Sequence, residues 1–409
     1  MTDIPAFAIE STMSPAEKNV EAAALSTSLP VTELICGLSP QALSRAIGFA
    51  RILLIIGLVF VHYDAFPNIK MSLTEGIDIY QHRTATFLAS TVLYFFYSVV
   101  PLLSMVSGWL FFSFKPQDAW KAIKRRMKKR FISLYLPLVA WNLFYVICIY
   151  AFFLMDPQSG FFSNLEFKLP FSHGLDFINA IFGITHRPIG FQFWFVRDLF
   201  VTALISPFLW LAIRYAPWLG ALVLCAMWLR HSHAFIFWRP DVPFFFYLGA
   251  LIRQKNFNVT IPLRVAVAFL CGYIVLAGMR ALAPYVFDTQ IHSQWLELDI
   301  ATSLMRLVGV VGCWGILYRL AQMPRGMAIG NYGGLAFFLH SAHWPLLVIV
   351  KMGLWLLVPA ANDFWMLIHY MLSVAVTVAI GLSLGRFLAL KTPRFFSLMN
   401  GGRLLGEGH

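Results

Sequence analysis

Arg51 and His62 stand eleven positions apart inside the apolar run FARILLIIGLVFVHYDAFP, where polar side chains are costly. At 3.6 residues per turn they return to nearly the same helix face, ~16 Å apart along the axis. A histidine is partly unprotonated at neutral pH and takes a proton from an attacking hydroxyl, whereas an arginine holds an anion. Further ionisable groups recur in apolar stretches: Arg197 beside Asp198, Arg306, His340, His343, Lys351 and His369. A charge at a helix centre costs about 2.5–3.5 kcal/mol in lipid, so each of these is expected to face an interior. Lys351 and His369 lie near helix ends, where reaching the interface is explanation enough. Arg197 and Asp198 point about 100° apart on a helix and are expected to make separate contacts. Arg306 is open between structural pairing and substrate binding. His340 and His343 share a face as metal ligands do, but no nearby carboxylate or cysteine completes a set, and no metal is expected.

The elements that position these residues follow from composition. Of 409 residues, 59% are hydrophobic and only 12% charged, with a mean hydropathy of +0.72. A soluble domain carries about twice that charged fraction, so the chain is read as an all-α, polytopic membrane helix bundle. The five cysteines are scattered singly and read as small buried hydrophobes. The net charge of +12 is concentrated near KPQDAWKAIKRRMKKR, residues 115–130, which holds eight Lys or Arg against one Asp. That is a membrane-topology signal that also attracts anionic lipid, and no nucleic-acid partner is implied.

Apolar segments at 46–64, 86–113, 131–155, 191–214, 216–232, 241–253, 262–281, 299–319, 333–356 and 364–387 suggest ten transmembrane helices. The sixth is short for a crossing. Placing residues 115–130 in the cytoplasm puts both termini there, with roughly twenty Lys/Arg inside against about seven outside. Residues 1–45 read as a poorly ordered cytoplasmic tail with a brief helix opening at Ser14-Pro15-Ala16-Glu17, and no signal peptide is expected. Ser39-Pro40 is a second helix start, leading into the first span. Residues 46–390 form the transmembrane domain and 391–409 a cytoplasmic tail. In the long outer loop 156–190, PFSHGLDFINAIFG reads as an amphipathic helix.

Five stretches together resemble the integral-membrane acyltransferase family 3, whose members O-acylate surface sugars. The first is Arg51-x10-His62. The second, VVPLLSMVSGWLFF, carries Ser107-Gly108-Trp109, and the third, KKRFISLYLPLVAWN, carries Pro137 and Trp141-Asn142. The fourth, FWFVRDLFVTALISP, is similar to the branch that acetylates glycans. The last, AFFLHSAHWPLL, places His343 at the family histidine and leaves His340 extra. The resemblance spans residues 45–390. It departs at one point: where the family shows a second basic residue three positions after the first, Arg130 is followed by Ser133, and Arg126 with Lys129 offers an alternative pair at that spacing.

The resemblance implies a membrane O-acyltransferase of the cell inner membrane that moves acetyl from cytoplasmic acetyl-CoA to a hydroxyl of a surface or lipid-linked glycan. Acyl-CoA is then a donor substrate, and no tightly bound cofactor is implied. His62 is the expected base, and Arg51 is expected to contact the donor from the cytoplasmic half of the chamber. Arg126, Arg130 and Lys129 are candidates for the coenzyme A phosphates. Arg197, Asp198, Arg306, Ser107 and His343 are candidates for gripping the sugar or supporting the oxyanion. Buried Arg and His in a many-span bundle suit a secondary transporter of a small anion or lipid-linked sugar as well. The two halves show no inverted echo of each other, which argues for the enzyme.

Overall fold

The computed structural model describes residues 35–67, 73, 82–158, 167, 169–171, 173–234, 236–286, 292–357 and 361–403. The helix start at Ser14 lies outside them. The described chain is helical throughout, with no strand. In chain order the helices that matter are α1 Pro40–Val61, α2 Arg83–Phe111, α3 Pro116–Met155, α4 Gly174–Phe182 and the bent pair α5 Phe191–Leu204 and α6 Ser206–Tyr215. Then follow α7 Pro217–Leu229, α8 Asp241–Gln254, α9 Leu263–Tyr285, α10 Leu296–Leu320, α11 Pro324–Leu357, α12 Asp363–Lys391 and α13 Pro393–Met399.

Among the described residues seven helices (α1, α2, α3 and α9 to α12) are long and apolar enough to cross a membrane, or eight if α5 and α6, bent by 59°, make one span. The ten expected segments are all helical, but α7 has 13 residues and α8 has 14. A helix of that length rises ~20 Å, short of the ~30 Å hydrocarbon core. α8 is an interior helix, buried along most of its length from Asp241 to Leu251. It reads as a span because a helix buried all round is apolar all round.

Local chemistry explains the ends. Ser39 Oγ accepts the Ala42 N–H at 3.2 Å and Pro40 fills the first turn, so α1 runs unbroken from the expected start into the first span. Asn362 caps α12 through the Trp365 N–H. α2 and α8 pack backbone to backbone: a Cβ on Gly108 would overlap the Phe246 carbonyl, and one on Gly249 the Met105 carbonyl. Small residues permit such approach where apolar burial alone drives no association in lipid.

The amphipathic stretch folds as α4, with Ala180 and Ile181 buried while Leu175 and Phe177 are exposed. At the C-terminus the packed chain continues past residue 390. The Trp141 indole N–H donates to the Met399 carbonyl, and buried Asn400 accepts the Phe338 N–H. A turn at Gly401 and Gly402, both at positive φ, then delivers Arg403 to the interior.

Candidate active site

α1 touches α2, α10 and α11, so it sits inside the bundle and turns Arg51 and His62 toward neighbours. His62 caps its C-terminal end. There His62 Nδ1 meets His343 Nε2 at 2.7 Å, with the two rings parallel and 4.9 Å between centroids.

His343 is fully buried on α11, where the helix breaks at Trp344 (φ −113°, ψ 132°). Pro345 has no N–H, which strips the Ser341 carbonyl of its helical donor. Gln192 Nε2 replaces that donor at 2.9 Å, and the Tyr145 hydroxyl also donates to it. The break is thereby satisfied and the His343 ring held in place. His343 Nδ1 turns back toward the Leu339 and His340 carbonyls without a hydrogen bond of ordinary geometry. A proton on that Nδ1 makes Nε2 the acceptor for His62 Nδ1–H. His62 Nε2 then keeps its lone pair, the tautomer a base requires.

His62 lines a cavity of about 230 Å³ whose walls include Phe191, Trp194, Trp238, Arg187, Arg239, Asp241 and Arg306. Asp241 is 2% exposed and its Oδ2 accepts from Arg306 Nη1 at 3.1 Å, with Arg239 Nη2 at 3.5 Å. Arg239 lies over the Trp194 ring and Arg306 over that of Tyr97.

Arg51 lines a different cavity of about 110 Å³, together with Arg130, Arg403, Ser107 and His340. The turn of α1 between Ile55, which faces this cavity, and Leu58, which faces the other, lies along the wall between them. His340 is packed 5.7 Å from His343, centroid to centroid, in the same wall. Among the described residues none of the three arginines has a carboxylate partner. Burial, with Arg51 and Arg130 near enough to repel it, lowers the Arg403 guanidinium to about 9. Unpaired guanidinium groups around a cavity make an anion site.

The other candidate residues separate cleanly. Arg130 Nη2 donates to Ser107 Oγ at 3.0 Å, which ties Ser107 to the arginine cavity and away from His62. Arg126 is spent on the C-terminal end of α2, donating to the Leu110, Phe111 and Ser113 carbonyls. Lys129 is exposed and lines neither cavity, because one residue's rotation turns it from the face that Arg130 presents.

Arg197 and Asp198 do pair, Nη1 to Oδ1 at 3.0 Å, contrary to the expectation from their directions; a long arginine side chain curls back across 100°. Arg197 also donates to the Gly183, Ile184 and Ile236 carbonyls, while Asp198 accepts the Trp238 and Arg239 N–H groups. The pair clamps the loop that carries Arg239 and lines neither cavity. Arg306 pairs with Asp241, one of the two readings left open for it, and also lines the His62 cavity. Lys351 donates to the Tyr63 and Ala65 carbonyls, and His369 bonds Tyr63 and the Lys351 carbonyl. Among the described residues no group of three His, Cys, Asp or Glu is arranged to hold a metal.

Sequence reasoning passed over Arg403, Arg239, Asp241 and Gln192. The signal for the first was faint: Gly401-Gly402 before a basic residue marks a tight turn, not a tail. Its place is telling, because Gly401 sits against the Ser133 backbone, where the expected second basic residue is missing.

Comparison with known proteins accords with this geometry. The family model described as an acyltransferase domain (Acyl_transf_3) matches residues 45–386. The chain is 25% identical over 362 residues, 88% of its length and 92% of the relative's, to the succinoglycan biosynthesis protein ExoH of Rhizobium meliloti (strain 1021). No solved structure matches. With its long apolar helices and a family match over most of its length, the chain belongs to the integral-membrane acyltransferase family 3 and is a multi-pass membrane protein.

Proposed function

We propose that the protein moves an acyl group, acetyl in the first instance, from cytoplasmic acyl-coenzyme A to a hydroxyl of an exopolysaccharide or its lipid-linked precursor. The observation that carries this reading is the pair of cavities along α1, one reaching His62 and its contact with His343, the other lined by three arginines without a carboxylate partner. The arginine cavity suits the donor. Arg130 ends the basic stretch and Arg403 follows the last helix, so positive charge gathers at that end of the bundle, as a cytoplasmic face of an inner-membrane protein does. Arg51, Arg130 and Arg403 are the groups for the donor's phosphates, with Ser107 holding Arg130 in register.

The His62 cavity suits the acceptor. Once the acyl end of the donor passes the Ile55–Leu58 turn into the His62 cavity, the acceptor oxygen attacks the thioester carbonyl carbon as its proton passes to His62 Nε2. The new C–O bond forms, the C–S bond breaks, and the coenzyme A thiolate leaves toward the arginine cavity. His343 accepts the His62 Nδ1–H and so favours the imidazolium that forms, the part a carboxylate plays in a serine-protease triad. Arg306, reaching the same cavity, is the nearest candidate for the oxyanion. The exopolysaccharide acceptor rests on the likeness to a succinoglycan biosynthesis protein.

The test is purified protein with acetyl-CoA and a hydroxylated oligosaccharide, read by mass spectrometry for the added acyl group, alongside a thermal shift with coenzyme A. Stabilisation by coenzyme A together with acyl transfer is the expected result. No stabilisation, with proton- or ion-driven uptake by vesicles, would replace the enzyme with a carrier.

A further inference from the structure

We infer that the His62 cavity is built for an acidic saccharide: one uronate-type residue, its carboxylate held by Arg187 and Arg239 and a ring hydroxyl held by Asp241. The inference deepens the acceptor reading above and rests on it only for the identity of the hydroxyl that reacts. Its first support is charge. Arg187, Arg239 and Arg306 face the cavity with one carboxylate, Asp241, among the lining residues. Arg306 and Arg239 share that carboxylate, and Arg187, exposed at the mouth, has no ion pair among the described residues. The next carboxylate, Asp299, is occupied by His231 at 2.7 Å. A ligand that brings a negative charge completes this set.

The second support is a pair of buried polar atoms left over. Asp241 Oδ1 and Arg306 Nε have no hydrogen-bond partner, although the two residues are only 2% and 5% exposed. Such atoms carry a desolvation cost, and as both are closed to water a ligand relieves it by drawing the carboxylate or guanidinium round toward the cavity. They also distinguish between anions. A carboxylate oxygen only accepts, so the group facing Asp241 must carry an O–H or N–H. A phosphate dianion or a lipid phosphodiester offers none and is repelled there, whereas a sugar ring offers several hydroxyls beside its carboxylate. Trp194 and Trp238 supply the flat apolar walls against which a pyranose face packs. Anchored by its carboxylate at one side, the ring presents a fixed hydroxyl to His62.

The experiment is a tryptophan-fluorescence titration of the detergent-solubilised protein with methyl glucuronide, methyl glucoside and methyl phosphate. The uronide is expected to bind about tenfold more tightly than the glucoside, the margin of one charge-assisted hydrogen bond. Arg187→Gln, at an exposed position, and Arg239→Gln should each bring that ratio down toward one. Equal binding of uronide and glucoside, or a ratio that survives both substitutions, overturns the inference. Tighter binding of methyl phosphate than of uronide also overturns it, in favour of a lipid headgroup. The titration is independent of transfer, so uronide binding here with no acylation in the transfer assay above removes only the acceptor reading. Acylation of neutral and acidic glycans at the same KM removes only the inference.

Discussion

The two cavities use arginine in opposite ways. Around Arg51 three guanidinium groups stand with no carboxylate, few aromatic faces and a serine hydroxyl for company. Around His62 three arginines stand with Asp241, two tryptophans and a histidine base. Burial and, after it, repulsion from Arg51 and Arg130 lower the Arg403 guanidinium, so the fold holds the first arrangement against its own electrostatics. It is relieved only by a polyanion. The second already holds Asp241 paired with Arg306 and Arg239, which leaves a positive excess and orients groups for a ring bearing both hydroxyls and charge. Accumulated charge binds, whereas paired charge positions.

The sharpest way to break that contrast is His62→Ala. Transfer is expected to fall about 10²–10⁴-fold, the usual worth of a general base, while the thermal shift with coenzyme A stays as in the parent protein. Transfer at the parent rate would remove His62 from the chemistry, and loss of coenzyme A binding would merge the two cavities into one. Next in size come Arg51→Ala and Arg130→Ala, each expected to raise the donor KM about tenfold or more through one lost charge-assisted contact, with the acceptor KM unmoved. A rise in acceptor KM of the same size would reverse the assignment of the cavities.

A smaller effect follows from pH. The Arg403 cation is present below about 9 and lost above it. Coenzyme A affinity, measured by titration calorimetry, should therefore be level up to about pH 9 and then decline by at most tenfold per unit. An affinity at neutral pH that Arg403→Gln leaves unchanged would exclude Arg403 from the site. The smallest effect is assigned to Lys129→Ala, exposed on the far side of its helix, with a change in donor KM of about twofold or less. A tenfold rise there would restore the pair Arg126 and Lys129 that the structure separates.

Sequence periodicity located the helices and their polar exceptions because both are local properties. Ser39-Pro40 starts a helix by its own chemistry, and a histidine in an apolar run is conspicuous wherever the run lies. The span count stays open at α7 and α8, both short for a crossing: α8 is apolar because it is buried within protein, and burial in protein and in lipid leave the same mark, whereas α7 leaves Trp218, Leu219 and Leu222 exposed. The pairing of Arg197 with Asp198 was missed because helix direction fixes where a side chain begins and not where a long one ends.

The amino-acid order alone determined an all-helical membrane chain, a basic stretch at residues 115–130, and Arg51 and His62 as the residues to watch. Only the tertiary structure decided that those two serve different cavities, that His343 and not a carboxylate meets His62, and that Arg403 crosses almost the whole chain to stand beside Arg51. Contacts between residues hundreds of positions apart depend on how helices cross. Crossing is set by close approaches such as Gly108 on Phe246 and by breaks such as that at Pro345, neither of which periodicity contains.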